Sequence, residues 1–131
     1  MKVSASIKNE INSHRTTVQT DGSVKQLSIA AKPSGLGSSI NGAELLLLSI
    51  ATCFCNDVYR EASKRGINVS CVEVTVTGEF GAEGEPGTNF QYYANVRSDS
   101  SPSVIQDLIN YVDKIAEIHK TLRNGINVTL I

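Results

Sequence analysis

The sequence predicts an α+β fold with the element order βββ-α-ββ-α-β and a long buried helix at its centre. Three observations carry this reading. Stretches that alternate apolar and polar residues come in groups, at the N-terminus and again after residue 66, and are not interleaved with helices as βαβ repeats would be. Between the groups runs the most hydrophobic segment of the chain, from Asn41 to Ala62, which carries two of the three cysteines. Apolar residues at helical spacing return only after residue 101.

Residues 2–8 alternate, with Val3, Ala5 and Ile7 on one face and Lys2, Ser4, Ser6 and Lys8 on the other, the pattern of a half-buried strand. Asn9 to Ser13 supply a turn, and Arg15 to Thr20 make a second short strand. Asp21-Gly22 is a hairpin signal, and Val24 to Ala31 return as a third strand. A loop of Pro33-Ser34-Gly35-Leu36-Gly37-Ser38-Ser39 leads to the central helix, which Asn41 caps and Lys64-Arg65-Gly66 end. Such a helix is roughly 35 Å long. Its apolar run from Leu45 to Cys55 wraps all round, which predicts burial, and Asn56, Asp57, Arg60 and Glu61 follow too soon for a membrane span.

Val69 to Phe80 form the next strand, with a bulge or edge expected where Cys71-Val72 breaks the alternation. After a loop from Gly81 to Gly87, Phe90, Tyr92, Ala94 and Val96 alternate as its neighbour. Ser101-Pro102 opens the last helix, whose face of Val104, Leu108, Val112 and Ile115 fades near Leu122. Ile126, Val128 and Leu130 predict a final strand.

At 131 residues the chain reads as one domain, 1–131. Twelve Lys and Arg against thirteen Asp and Glu, with no Trp, leave no field or stacking surface that points to nucleic acid or an anionic membrane. An N-terminus that alternates does not read as a signal peptide. Three irregularly spaced cysteines do not read as a secreted disulfide framework, so a reduced cytoplasm is expected. No cofactor is expected: Gly35-Leu36-Gly37 lacks the Lys-Ser/Thr of a phosphate loop, and the Cys, His and Asp positions have no metal-ligand spacing.

Cys53 is the candidate nucleophile. A free thiol near pKa 8.5 is only about 3% ionised at pH 7, so it needs activation; the competing reading is an inert core cysteine. Helical spacing puts Ser49, Asn56, Asp57 and Arg60 on the same side as Cys53. They line a polar substrate pocket, or else Asp57 and Arg60 bridge to a neighbouring subunit or loop. Asp57 would raise the thiol's pKa, and Arg60 would offset it by reaching back. Glu44 lies about 180° round the helix from Cys53, and with Asn41 it has the spacing of a capping box. Cys55 points about 200° away from Cys53, so these two cannot pair without unwinding the helix.

The Glu44-Leu45-Leu46-Leu47-Leu48-Ser49-Ile50-Ala51-Thr52-Cys53 helix, Arg65-Gly66-Ile67 leading into Val72-Glu73-Val74, and the order of elements resemble the OsmC/Ohr superfamily. The resemblance covers most of the chain. It implies an intertwined homodimer with thiol sites at the subunit interface, and reduction of organic hydroperoxides by two cysteines and a thiol donor. An Arg and a Glu assist the first cysteine in that family. Here they would be Glu44, reaching Cys53 across the interface, and Arg15 on the second strand, with Lys32 as the weaker alternative. Where the family has Cys-Pro-x-Ser-x-x-Leu, this chain has Ala116-Glu117-Ile118-His119-Lys120-Thr121-Leu122, so Ala116 replaces the second cysteine. His119 then falls at the Ser of that motif, as a proton donor or simply a surface histidine.

Two functions follow. One is thiol-dependent reduction of organic hydroperoxides through Cys53 alone, assisted by Glu44 and Arg15, with Asn56, Asp57 and His119 against the substrate and an external thiol as reductant. The other is a non-enzymatic homodimer that binds a small apolar molecule in its interface pocket.

Overall fold

Three antiparallel strands, β1 (Val3–Glu10), β2 (Ser13–Thr20) and β3 (Ser23–Leu27), open the chain in the computed structural model, which describes residues 1–131. Contacts divide the chain into two units, Met1–Leu45 and Leu46–Ile131. In the first unit β1 pairs with β2 from Val3↔Thr20 to Glu10↔Ser13, and β2 with β3 from Thr20↔Ser23 to Thr16↔Leu27. Asp21 and Gly22 both have positive φ (45° and 86°), the two-residue turn their sequence predicts.

The third strand stops at Leu27, short of the expected Ala31. Beyond it Ala31 bridges to Ser38, and the Lys32 N–H donates to Gly37 O at 3.0 Å. The chain thus folds back on its own loop and its hydrogen bonds are used there. β1 is exposed along its whole length, so its expected half-burial is not reached within one chain.

The helix α1 (Gly42–Lys64) starts at the end of the first unit and runs into the second. Its start is the expected capping box: the Glu44 N–H donates to Asn41 Oδ1 at 2.9 Å, and the Asn41 N–H donates to Glu44 Oε2 at 2.8 Å. Gly66, at φ 65°, lets the chain leave the helix, with the Ile67 N–H bonded back to Ala62 O at 2.9 Å.

In the second unit β4 (Val69–Glu79) and β5 (Thr88–Ser98) form an antiparallel pair. Its register shifts between Val69 and Cys71, where the sequence breaks its alternation, and again between Thr77 and Glu79. A Cβ at Gly78, inside the second shift, would stand 2.7 Å from the Phe90 ring, so glycine is needed there. Phe54, Val58 and Ala62 of α1, Val96 of β5, and Leu108 and Val112 of the next helix form the buried core.

That helix is α2 (Pro102–Ile115), capped by Ser101, and it does not continue to Leu122 as expected. At Ala116 (φ −55°, ψ 118°) it breaks, and α3 (Glu117–Asn124) starts anew. Ala116 donates its N–H to Val112 O at 2.9 Å and accepts from the Lys120 N–H at 3.0 Å, so it ends one helix and starts the other. It is fully buried, and neither glycine nor proline marks the break.

Two further expectations change. The final strand does not form: Ile126, Val128 and Leu130 are 63%, 92% and 99% exposed, because alternation makes a strand only where a neighbour supplies hydrogen bonds. Nor is α1 buried all round. One stripe (Ile50, Phe54, Asp57, Val58, Glu61, Ala62) is covered, whereas Leu48 is 55% exposed, since β4, β5 and α2 cover a single side. By length and composition α1 could cross a membrane, but its covered stripe carries Asp57 and Glu61.

Candidate active site

Cys53 lies in the middle of α1, half-buried, facing the start of α3. Asp57, one turn further along α1, puts Oδ2 at 3.8 Å from Cys53 Sγ, and Glu117 puts Oε2 at 3.9 Å from it. The three groups have donor atoms within 4.8 Å of one another, drawn from two helices. No such grouping is visible in their sequence spacing.

Opposing influences act on the thiol. Burial pushes its pKa up, and the carboxylates of Asp57 and Glu117 add to this; the backbone N–H groups of Ile118 and Glu117 pull it down. Those amides are free to face sulfur because they belong to the first turn of α3, which has no side-chain cap. The sulfur therefore sits between two carboxylates and the positive end of a short helix.

Asp57 is 3% exposed, and burial raises its pKa, opposed by Arg60 and reinforced by Glu117. Arg60 Nη1 lies 2.7 Å from Asp57 Oδ1, so the guanidinium pairs with the carboxylate and does not reach back to the sulfur. Its Nε lies 3.2 Å from Glu61 Oε1, which Lys64 also meets at 2.7 Å. Glu61 is held ionised chiefly by Lys64, against its burial.

The other expected site residues are placed differently. Asn56 is exposed and lines a shallow groove of about 270 Å³ with Ala51, Thr52, Cys55, Val72 and Val74, to which Cys53 does not contribute. His119 is not a surface histidine: it is 5% exposed, its ring 4.8 Å from that of Tyr92 and 5.7 Å from that of Phe54. The break at Ala116 turns it inward. Both ring nitrogens lack a partner, and burial, helped by Arg123 and opposed by Asp113, lowers its pKa. Beside it Arg123 Nη2 meets Asp113 Oδ1 at 2.6 Å, and the Tyr92 hydroxyl donates to the same oxygen.

Glu44 and Arg15 belong to the first unit. Glu44 is exposed and engaged in its capping box; Arg15 is exposed on β2, opposite Lys8. Glu117 escaped the sequence reading. A carboxylate directly after Ala116, in the run compared with the second-cysteine motif, is a signal, but only the helix break shows that it faces Cys53.

Comparison with known proteins gives this geometry its setting. A family model described as OsmC-like protein matches residues 35–131. Among solved structures, an OsmC-like protein from Mycoplasma pneumoniae is 20% identical, with a TM-score of 0.70 over 94% of this chain and 88% of that one. An organic hydroperoxide resistance protein OsmC from Legionella pneumophila is 19% identical, with a TM-score of 0.60 over 94% and 90%. The organic hydroperoxide resistance protein OhrB of Bacillus subtilis is 16% identical, with a TM-score of 0.58 over 95% and 93%. At these identities the likeness is one of fold. No curated protein matches by sequence. The family match spans most of the chain and the fold agrees with it along nearly its whole length: this protein belongs to the OsmC-like family.

Proposed function

We propose that this protein reduces organic hydroperoxides through Cys53 as its single reactive thiol, in defence against oxidative stress. The observation that carries this reading is the setting of Cys53: two carboxylates within hydrogen-bonding reach of a thiol, and the amides of a helix start on the same sulfur. A peroxide is attacked by sulfur that is losing its proton, so a thiol held un-ionised needs an acceptor close by. The amides of Ile118 and Glu117 would stabilise negative charge as it develops on sulfur or on the oxygen it gains. The family, and neighbours named for organic hydroperoxide resistance, point the same way.

With Ala116 at the second-cysteine position, the oxidised sulfur is returned by an external thiol, a cycle that suits a reducing compartment. The working form is a homodimer. Leu48 and Tyr59 on α1, and Phe80, Phe90 and Tyr93 on the β-strand pair and its loop, are 43–68% exposed, more large apolar surface than one chain covers by itself. In the dimer Glu44 and Arg15 assist Cys53 from the partner. Light scattering should give twice the chain mass; a monomer would remove the roles of Glu44 and Arg15.

A raised thiol and a missing second cysteine favour a second reading, a dimer that binds a small apolar molecule without turnover. One equivalent of an organic hydroperoxide separates the two. Added oxygen at Cys53, trapped by a sulfenic-acid reagent and located by peptide mass, supports the reductase. An unmodified Cys53 supports the binding protein.

A further inference from the structure

We propose that Glu117 is the catalytic acid–base of this site, taking the proton of the Cys53 thiol and giving it to the leaving alkoxide. The inference rests on the hydroperoxide reading above and says which of the two carboxylates at Cys53 carries the proton. Two carboxylates face Cys53 Sγ, Asp57 at 3.8 Å and Glu117 at 3.9 Å, together with the amides of Glu117 and Ile118. The one cation that reaches this group of side chains is Arg60.

The two carboxylates are not equivalent. Asp57 is almost fully buried and its Oδ1 is held by Arg60 at 2.7 Å, so it neither swings nor exchanges protons freely with solvent. Glu117 is exposed, is the first residue of α3 and makes no ion pair. It can meet the sulfur and the water phase in turn. The break at Ala116 presents it there.

The step balances. Sulfur attacks the terminal oxygen of the hydroperoxide as the thiol proton passes to Glu117. The S–O bond forms, the O–O bond breaks, and its electron pair leaves with the alkoxide, which takes the proton from Glu117 to become an alcohol. Cys53 is oxidised by two electrons to the sulfenic acid and the hydroperoxide is reduced. One external thiol then forms a mixed disulfide with loss of water, and a second releases Cys53 as the thiol and leaves with the first as a disulfide.

Glu117→Gln separates a proton carrier from a mere neighbouring charge, because the two roles move two rates differently. Removing the carboxylate lowers the thiol's pKa, so iodoacetamide alkylation of Cys53 at neutral pH should become faster. Removing the proton carrier should slow oxidation of Cys53 by an organic hydroperoxide about a hundredfold. Both rates are read at Cys53 by peptide mass. If oxidation in Glu117→Gln keeps the wild-type rate or rises with alkylation, Glu117 is only a charge and the proposal falls. If both rates drop together, its role is structural and the proposal falls as well. The parent reading is judged in the wild-type arm: no oxidation of Cys53 there removes the reductase itself, and Glu117's role with it.

Discussion

Asp57 and Cys53 stand one turn apart on α1, and the carboxylate turns Oδ2 to the sulfur at 3.8 Å while Arg60 holds its other oxygen at 2.7 Å. The acid thus lies against the thiol and its charge is only partly compensated. Burial raises its pKa, so ionising Asp57 costs more in the folded than in the unfolded chain. For such a group stability is greatest below the unfolded pKa, about 3.9, and declines as pH rises through the folded one. Asp57→Asn should therefore be at least as stable as wild type in urea at pH 7. It should also speed alkylation of Cys53, since a charge that raises the thiol's pKa is gone. A marked loss of stability, or slower alkylation, would show that the carboxylate supports the site instead.

His119 makes the opposite contribution on acidification. Its pKa is lowered, so stability is full above the unfolded value, about 6.5, and falls as pH drops toward the folded one. The groups around it are Asp113, Arg123 and the Tyr92 hydroxyl. His119→Phe should be about 1 kcal/mol more stable at pH 7, because two unpartnered ring nitrogens leave the core. It should also lose part of the decline in melting temperature between pH 7 and 5. His119→Leu repeats the test if Phe overpacks. An unchanged slope in both variants would place the pH response elsewhere.

The sequence made the local features legible and missed those that depend on packing. Asn41 with Glu44, Asp21-Gly22, Ser101-Pro102 and the irregularity at Cys71 are settled within a few residues, and each is found where the pattern puts it. The break at Ala116 has no local signal: α2 and α3 are both good helical sequence, and the kink buries His119 and aims Glu117 at Cys53. Ile126, Val128 and Leu130 show the converse, a sound strand pattern with no partner strand in the chain. At the site, Cys53 and Asp57 followed from one helix face, whereas Glu117 needed the distant helix to be placed.

Glu44 is assigned two jobs that substitution can separate. Glu44→Gln keeps an acceptor for the Asn41 N–H, so stability should be nearly unchanged, and loses the charge. Asn41→Ala removes the cap of α1 and should cost about 1 kcal/mol. If Glu44 assists Cys53 from the partner subunit, Glu44→Gln should slow peroxide consumption with no change in melting temperature. Turnover equal to wild type would leave Glu44 as a helix cap alone.

The most direct test of the account is steady-state consumption of an organic hydroperoxide with a dithiol donor, for wild type and Cys53→Ser side by side. Turnover in wild type that disappears in Cys53→Ser, with Cys55 and Cys71 still present, is the predicted result. No consumption by either protein, or equal consumption by both, would contradict a single-cysteine peroxide reductase.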